Sequence, residues 1–127
     1  MKQRFFICNH CGSIVAFVRD SGISVVCCGE EMHELIPCVT DAAAEKHVPV
    51  YTVADGVVSV KVGSVLHPMS KEHHIEWISL QTKYGNQRKE LSHTGEPCVT
   101  FAVTRGDSVE AVYAYCNLHG LWEATGL

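Results

Sequence analysis

The chain has 127 residues, 46% of them hydrophobic and 19% charged, which suits one ordinary domain, or a small domain plus a tiny module, with a real core. A formal net charge of −4 with no basic block excludes a nucleic-acid footprint. No apolar run reaches a membrane span, and the opening MKQRFFICNHCGS breaks its apolar stretch with ligand-type residues, so neither an anchor nor a secretory leader is expected and a cytoplasmic location follows.

In chain order, FFICNHCGSIVAFV is an apolar run broken by a CxxC and a glycine, which predicts a strand, a tight knuckle and a second strand. GISVVCCGEEM repeats the theme: a β-branched run, two cysteines, a glycine. About 36 residues cannot stabilise themselves by burial alone, so a metal staple is expected there. Pro37 and TDAAAEKHVP form the connection, with one helical turn expected at the alanines and stopped by Pro49. PVYTV and VVSVKV alternate around Asp55-Gly56, a strong hairpin signal. HIEWISLQT is expected to alternate with Ile75, Trp77 and Ser79 on one face. CVTFAVT and VEAVYAYC flank RGDS, which predicts another hairpin, and LWEAT closes the chain. Several short strands with turns at this spacing predict an antiparallel sandwich without a long helix.

Seven cysteines and eight histidines are the unusual feature. An odd cysteine count without a leader argues against a disulfide framework and for metal. The first cluster is Cys8, Cys11, Cys27 and Cys28. A CxxC on a knuckle aims two thiolates at one point, and the fifteen residues between Cys11 and Cys27 let a hairpin return to it. Four soft thiolates suit zinc or iron, and a zinc staple, a mononuclear iron site and vicinal thiol chemistry all fit the spacing. The usual second CxxC is replaced by adjacent cysteines, which predicts a distorted tetrahedron. The second group is His47, His67, His73, Cys116 and His119. Each sits where a strand is expected to begin or end, and strand ends of a sandwich gather at one pole. Imidazoles with one thiolate favour a late first-row metal.

In this order, CNHCG, CCGEEM, EKHVP, HPM, HHIEWI and YCNLHG resemble the desulfoferrodoxins, the two-iron superoxide reductases. The resemblance covers nearly the whole chain. It implies a mainly β protein: a small desulforedoxin-like, rubredoxin-like metal module at 1–37 and an immunoglobulin-like antiparallel β-sandwich at 38–127. Cys8, Cys11, Cys27 and Cys28 match the four thiolate ligands of the family's first iron centre. His47, His67, His73 and His119 match the equatorial imidazoles of its second, and Cys116 the axial thiolate. The implied cofactors are two mononuclear non-haem irons per chain, with zinc a possible occupant in recombinant material. The implied reaction is one-electron reduction of superoxide to hydrogen peroxide at an iron with an open sixth position. The resemblance gives Lys46 the role of attracting the anion and orienting a proton-delivering water, and lets Glu45 ligate the oxidised iron. It also implies a rubredoxin or similar small redox protein as electron donor, and a homodimer. In HHIEWI the family spacing selects His73 over His74. His10, His33 and His93 match no ligand position and are expected to be exposed; Cys38 and Cys98 are expected to be small buried hydrophobes. Competing readings are a non-catalytic zinc ribbon joined to a β-sandwich binding domain, and an iron electron carrier.

Overall fold

The computed structural model describes residues 2–41 and 47–125. Glu45, Lys46 and the helical turn expected at 42–44 lie outside the described residues. Among the described residues the regular elements are all strands, and no helix is long and apolar enough to cross a membrane. The chain divides into two compact units, Met1–Ile36 and Pro37–Leu127.

The first unit carries β1 (Phe5–Ile7), β2 (Ile14–Ala16), β3 (Val26–Cys27), β4 (Glu30–Glu31) and β5 (His33–Leu35). Its three-stranded sheet has the order β2-β1-β5, and β3 and β4 pair separately. Phe5, Cys8 and Met32 are its buried apolar side chains. Across β1 and β5, Arg4 forms a fork on Glu34, with both contacts at 2.9 Å, and reaches Asp20 at 2.8 Å.

The second unit is an immunoglobulin-like sandwich. One sheet is β10-β7-β6, from β6 (Pro49–Ala54), β7 (Val57–Val62) and β10 (Cys98–Ala102). The other is β12-β11-β8-β9, from β8 (Ile75–Thr82), β9 (Asn86–Glu90), β11 (Val109–Cys116) and β12 (Gly120–Thr125). All these pairs are antiparallel. The hairpin at Asp55-Gly56 forms as its sequence predicts: φ is 50° and 74° at these residues, the left-handed pair that a two-residue turn demands. A side chain on Gly56 would also crowd the Val103 carbonyl at 3.2 Å. Val58, Val60 and Val62 alternate inward, as VVSVKV reads, and meet Ile78, Leu80, Phe101, Val112 and Ala114 in the core.

Three local expectations fail for identifiable reasons. β10 and β11 do not form a hairpin: β10 pairs with β7, and β11 lies between β8 and β12. RGDS therefore carries the chain from one sheet to the other. Its Asp107 carboxylate accepts hydrogen bonds from the Thr82 hydroxyl at 2.7 Å and from backbone N–H groups of Tyr84 and Ser108, tying this corner to the β8–β9 turn. The alternation of β8 is broken by a bulge. Trp77 faces Tyr115 while Ile75 faces Cys116, so Glu76 is the extra residue and Ile75 and Trp77 fall on opposite faces. Both faces of the strand are then buried from Trp77 to Thr82. Finally, Cys38 and Cys98 are exposed, not buried. Cys38 sits where the incoming segment bridges to Trp122 at the edge of β12, and Cys98 begins the edge strand β10.

The Asp107 corner gives a pH-dependent prediction. The donors around its carboxyl, the Thr82 hydroxyl first, hold its pKa below the ordinary value. A depressed folded-state pKa contributes stability above the unfolded value, about 3.9, and loses it as pH falls through the folded value. Asp107→Asn is therefore expected to lower the thermal midpoint of the second unit at neutral pH, with the gap to the parent closing below about pH 4. A gap independent of pH in a melting series would contradict this.

Candidate metal centres

In the first unit, the knuckle after β1 closes with Gly12 N donating to Cys8 O at 2.9 Å, Gly12 having a φ of 80°. Cys11 N lies 3.5 Å from Cys8 Sγ, so the turn aims an N–H at a sulfur as well as two thiols at one point. The opposing ligands come from the β3–β4 hairpin. Cys27 pairs with Glu30, leaving Cys28-Gly29 as a two-residue turn with φ of 52° and 75°. Cys28 is a non-glycine residue in the left-handed region, at a cost of about 1 kcal/mol. That backbone twist is how two neighbouring cysteines reach one point. Two of the sulfur separations are 3.7 Å (Cys11–Cys27) and 3.9 Å (Cys27–Cys28). A regular tetrahedron with metal–sulfur bonds of about 2.3 Å has edges of about 3.8 Å.

The four ligand atoms lie within 4.8 Å of one another, far outside disulfide bonding for the separations above. The thiols oppose one another's ionisation. Cys11 is lowered to about 6, first by the Ser13 hydroxyl 3.1 Å away. Cys27 is pushed up to about 12, first by its hydrogen bond with Cys11, and Cys28 is raised by the same neighbour. The Cys11 thiolate forms readily while Cys27 and Cys28 resist. A bound cation removes that conflict, so the donor set fits a thiophilic metal such as zinc or iron.

In the second unit, four elements converge at one pole of the sandwich. The β11–β12 hairpin supplies two groups. Cys116 pairs with Gly120, so the loop is Asn117–His119, and Gly120 takes the left-handed φ of 80° that ends such three-residue loops. The spacing of CNLHG is therefore a turn: it brings Cys116 Sγ within 3.9 Å of His119 Nδ1. His67 closes a short loop after β7, its N–H donating to Val62 O at 3.0 Å. Its Nδ1 lies 2.7 Å from Pro68 O, which makes Nδ1 the protonated nitrogen and Nε2 the one that carries the lone pair. His73 precedes β8 in a turn pinned at Ser70, whose hydroxyl donates to His73 O at 3.2 Å. Asn117 joins the β11–β12 hairpin to this turn: its Oδ1 accepts from His74 N at 2.9 Å and its Nδ2 donates to Glu72 O at 2.9 Å. This clamp continues the β8–β11 pairing past the Glu76 bulge.

The ligand atoms of His47, His67, His73 and Cys116 lie within 4.8 Å of one another. His119 joins through Nδ1, 3.1 Å from His47 Nε2. The four imidazoles form a closed cycle in the order 47, 67, 73, 119, with ring centroids 4.6, 4.6, 5.0 and 4.9 Å apart. The cross-cycle distance from His47 to His73 is longer, at 6.3 Å. Successive rings stand at 66° to 87° to one another, edge to face. His47, His67 and Cys116 are buried, His73 is half-buried and His119 is exposed, so the cycle opens toward solvent on one side. Neutral imidazoles and a thiolate suit a divalent late first-row metal.

The remaining histidines stand apart from this cycle. His74 turns to Ser70 O at 2.8 Å. His10 and His33 are exposed, at 2.7 and 3.2 Å from opposite oxygens of Glu30, and His93 is exposed near the His74 ring. Sequence reasoning misses three residues that shape the pole: Asn117, Trp122 and Asp41. The Asn117 clamp sits inside CNLHG, where the histidine drew attention. Trp122 reads there only as a flanking aromatic, and nothing local marks Asp41.

Similarity to known proteins bears on this arrangement. A family model described as Desulfoferrodoxin matches residues 39–125. The chain is 41% identical over 125 residues to the desulfoferrodoxin of Syntrophotalea carbinolica, covering 98% of each. It superposes on the crystal structure of the superoxide reductase from Treponema pallidum with a TM-score of 0.86, at 40% identity and 98% coverage of both chains. The superoxide reductase (1Fe-SOR) from Giardia intestinalis matches 65% of this chain and 97% of its own, with a TM-score of 0.56 and 34% identity.

Proposed function

The chain belongs to the desulfoferrodoxin family, and from that premise we propose that it is a superoxide reductase. The reaction is O2•− + e− + 2H+ → H2O2. The observation that carries this reading is the cycle of four imidazoles joined to one buried thiolate at a pole open on its His119 side. His47, His67, His73, His119 and Cys116 would together hold iron, and the exposed His119 side of the cycle would admit a small anion. When bound, the iron supplies the single electron in its ferrous state and is re-reduced afterwards.

The chain's own residues do the rest. Pro68 O fixes the His67 tautomer so that the ring presents Nε2. Cys116 is fully buried, which keeps its sulfur from water and preserves its donor strength. Lys46 attracts the anion and orients a water that delivers a proton, and Glu45 can ligate the oxidised iron. Cys8, Cys11, Cys27 and Cys28 would hold a second iron in the desulforedoxin-like module at 1–37, ahead of the sandwich at 38–127. The electron comes from a rubredoxin or similar small redox protein, and the protein acts as a homodimer in the cytoplasm.

The test is metal content and the visible spectrum of anaerobically purified protein before and after superoxide, with azide added to the oxidised form. About two irons per chain are expected, with a thiolate-to-iron band that appears on oxidation and moves with azide. Lys46→Ile should slow the superoxide reaction several-fold at low salt, less as salt screens the charge, without changing the spectrum. Reproducible zinc alone under iron-replete growth, with no response to superoxide, would overturn the reading in favour of a binding module. An oxidising iron blind to azide would favour an electron carrier.

A further inference from the structure

His47 differs from the other members of the cycle in how it is held. His67, His73 and His119 each sit in a tight turn closed by hydrogen bonds beside the strand that carries it. His47 instead lies just ahead of β6, on a segment anchored by a side chain. The Asp41 carboxylate accepts from His47 N at 2.5 Å and from Val48 N at 3.1 Å. This fixes the backbone; the same carboxylate lies 3.8 Å from His47 Nδ1, longer than a hydrogen bond, so the ring's rotation about Cβ–Cγ, a broad torsion, is set with the help of other contacts.

Trp122 supplies such a contact. Its indole lies flat on the His47 ring, with centroids 4.5 Å apart and planes at 18°, the one parallel stack on a ring of the cycle among the described residues. The same side chain donates its Nε1–H to His119 O at 3.1 Å. It therefore touches two neighbouring members of the cycle, the ring of one and the backbone of the other. Trp122 is well placed for this. It lies on β12 opposite Ala114, on the face shared with Cys116, and its backbone is bridged on the other side by Cys38. With Cys38 N donating to Leu121 O and Glu123 N to Cys38 O, both at 2.9 Å, the segment leading to His47 is secured to the strand that carries the indole.

We infer that Trp122 is a positioning residue of the imidazole cycle: its indole face sets the plane of the His47 ring, so that Nε2 is aimed at the centre before a metal arrives. The inference rests on the reading of the cycle as a metal site and adds a residue to it. Its chemistry is preorganisation. A ring held in one plane loses no rotational freedom on coordination, and a partner outside the ligand set is commonly worth 10–100-fold in metal affinity.

The test uses Co(II) as the probe on the full chain, titrated anaerobically after chelation, because its thiolate charge-transfer and ligand-field bands report the Cys116 site without turnover. The four-cysteine site of the same molecule serves as the internal control. Trp122→Leu, which removes the stack, is expected to weaken Co(II) at the second site about tenfold and to shift its ligand-field bands, with the bands of the four-cysteine site unchanged. Trp122→Phe keeps a flat ring on His47 but has no N–H for His119 O, and is expected to restore affinity and bands to within about twofold of the parent. A Leu variant identical to the parent overturns the inference. So does a Phe variant tenfold weaker than the parent, which would assign the effect to the indole N–H; this second arm decides the matter even if the Leu variant does not fold. A parent chain that takes up no second Co(II) overturns the metal-site reading itself, and the inference with it.

Discussion

Cys116→Ser is expected to abolish the thiolate-to-metal band and to cut superoxide reduction by well over 100-fold, more than the loss of an outer-shell partner costs. Cys116 is the last residue of β11, fully buried and in the core cluster, and the Asn117–His119 loop turns His119 back toward its sulfur. It is the one sulfur among the residues of the second group. Serine keeps the size but replaces a soft, readily ionised donor by a hard hydroxyl of much higher pKa, which late first-row metals bind poorly at neutral pH. The change adds a buried hydroxyl, costing about 1–3 kcal/mol, which a core of this size tolerates. The four-cysteine centre lies in the other unit and its spectrum should be unchanged, separating a site defect from a folding defect. A variant that keeps both the band and most of its rate would show that the thiolate is not a ligand.

The second large effect concerns the first unit. Chelating the metal of the four-cysteine centre, or removing one ligand by Cys27→Ala, is expected to unfold residues 2–36 while the sandwich at 47–125 stays folded. Strands of two or three residues and three buried apolar side chains cannot offset the entropy of ordering this segment. A structural metal bound by four thiolates contributes on the order of 10 kcal/mol to such a module. It also relieves the mutual opposition of the thiols, in which Cys27 is held up at about 12. Amide exchange by mass spectrometry reads both units at once. Loss of protection confined to the first unit is the expected pattern. Undiminished protection there after metal removal would show that packing alone suffices.

Much of this molecule is legible in short windows of its sequence. CNHCG, CCG, DG and CNLHG each encode a turn, because a glycine able to take positive φ follows the residue that must be aimed, and the flanking strands are short enough to fix the register. The resemblance of the ordered motifs to a family added the two clusters as sets. Cys38 and Cys98 read as core residues because small thiols usually serve as such, whereas both lie exposed on edge segments.

By itself, then, the sequence determined the turns, the ligand types and the alternation of β7, all of which depend on residues within a few positions of one another. The tertiary structure decided the rest. The bulge at Glu76 places Ile75 with the core and Trp77 on the opposite face, although a strict period of two puts them together. RGDS reads like a hairpin turn, but Asp107 binds it to Thr82 and Tyr84 of another corner and β11 finds its partners elsewhere. The flat contact of Trp122 on His47 joins residues 75 positions apart. Local turn chemistry is set by backbone torsions that single residues prefer. Which strands pair, which face is buried and which ring lies on which depend on distant surfaces meeting, and a short window carries no information about that.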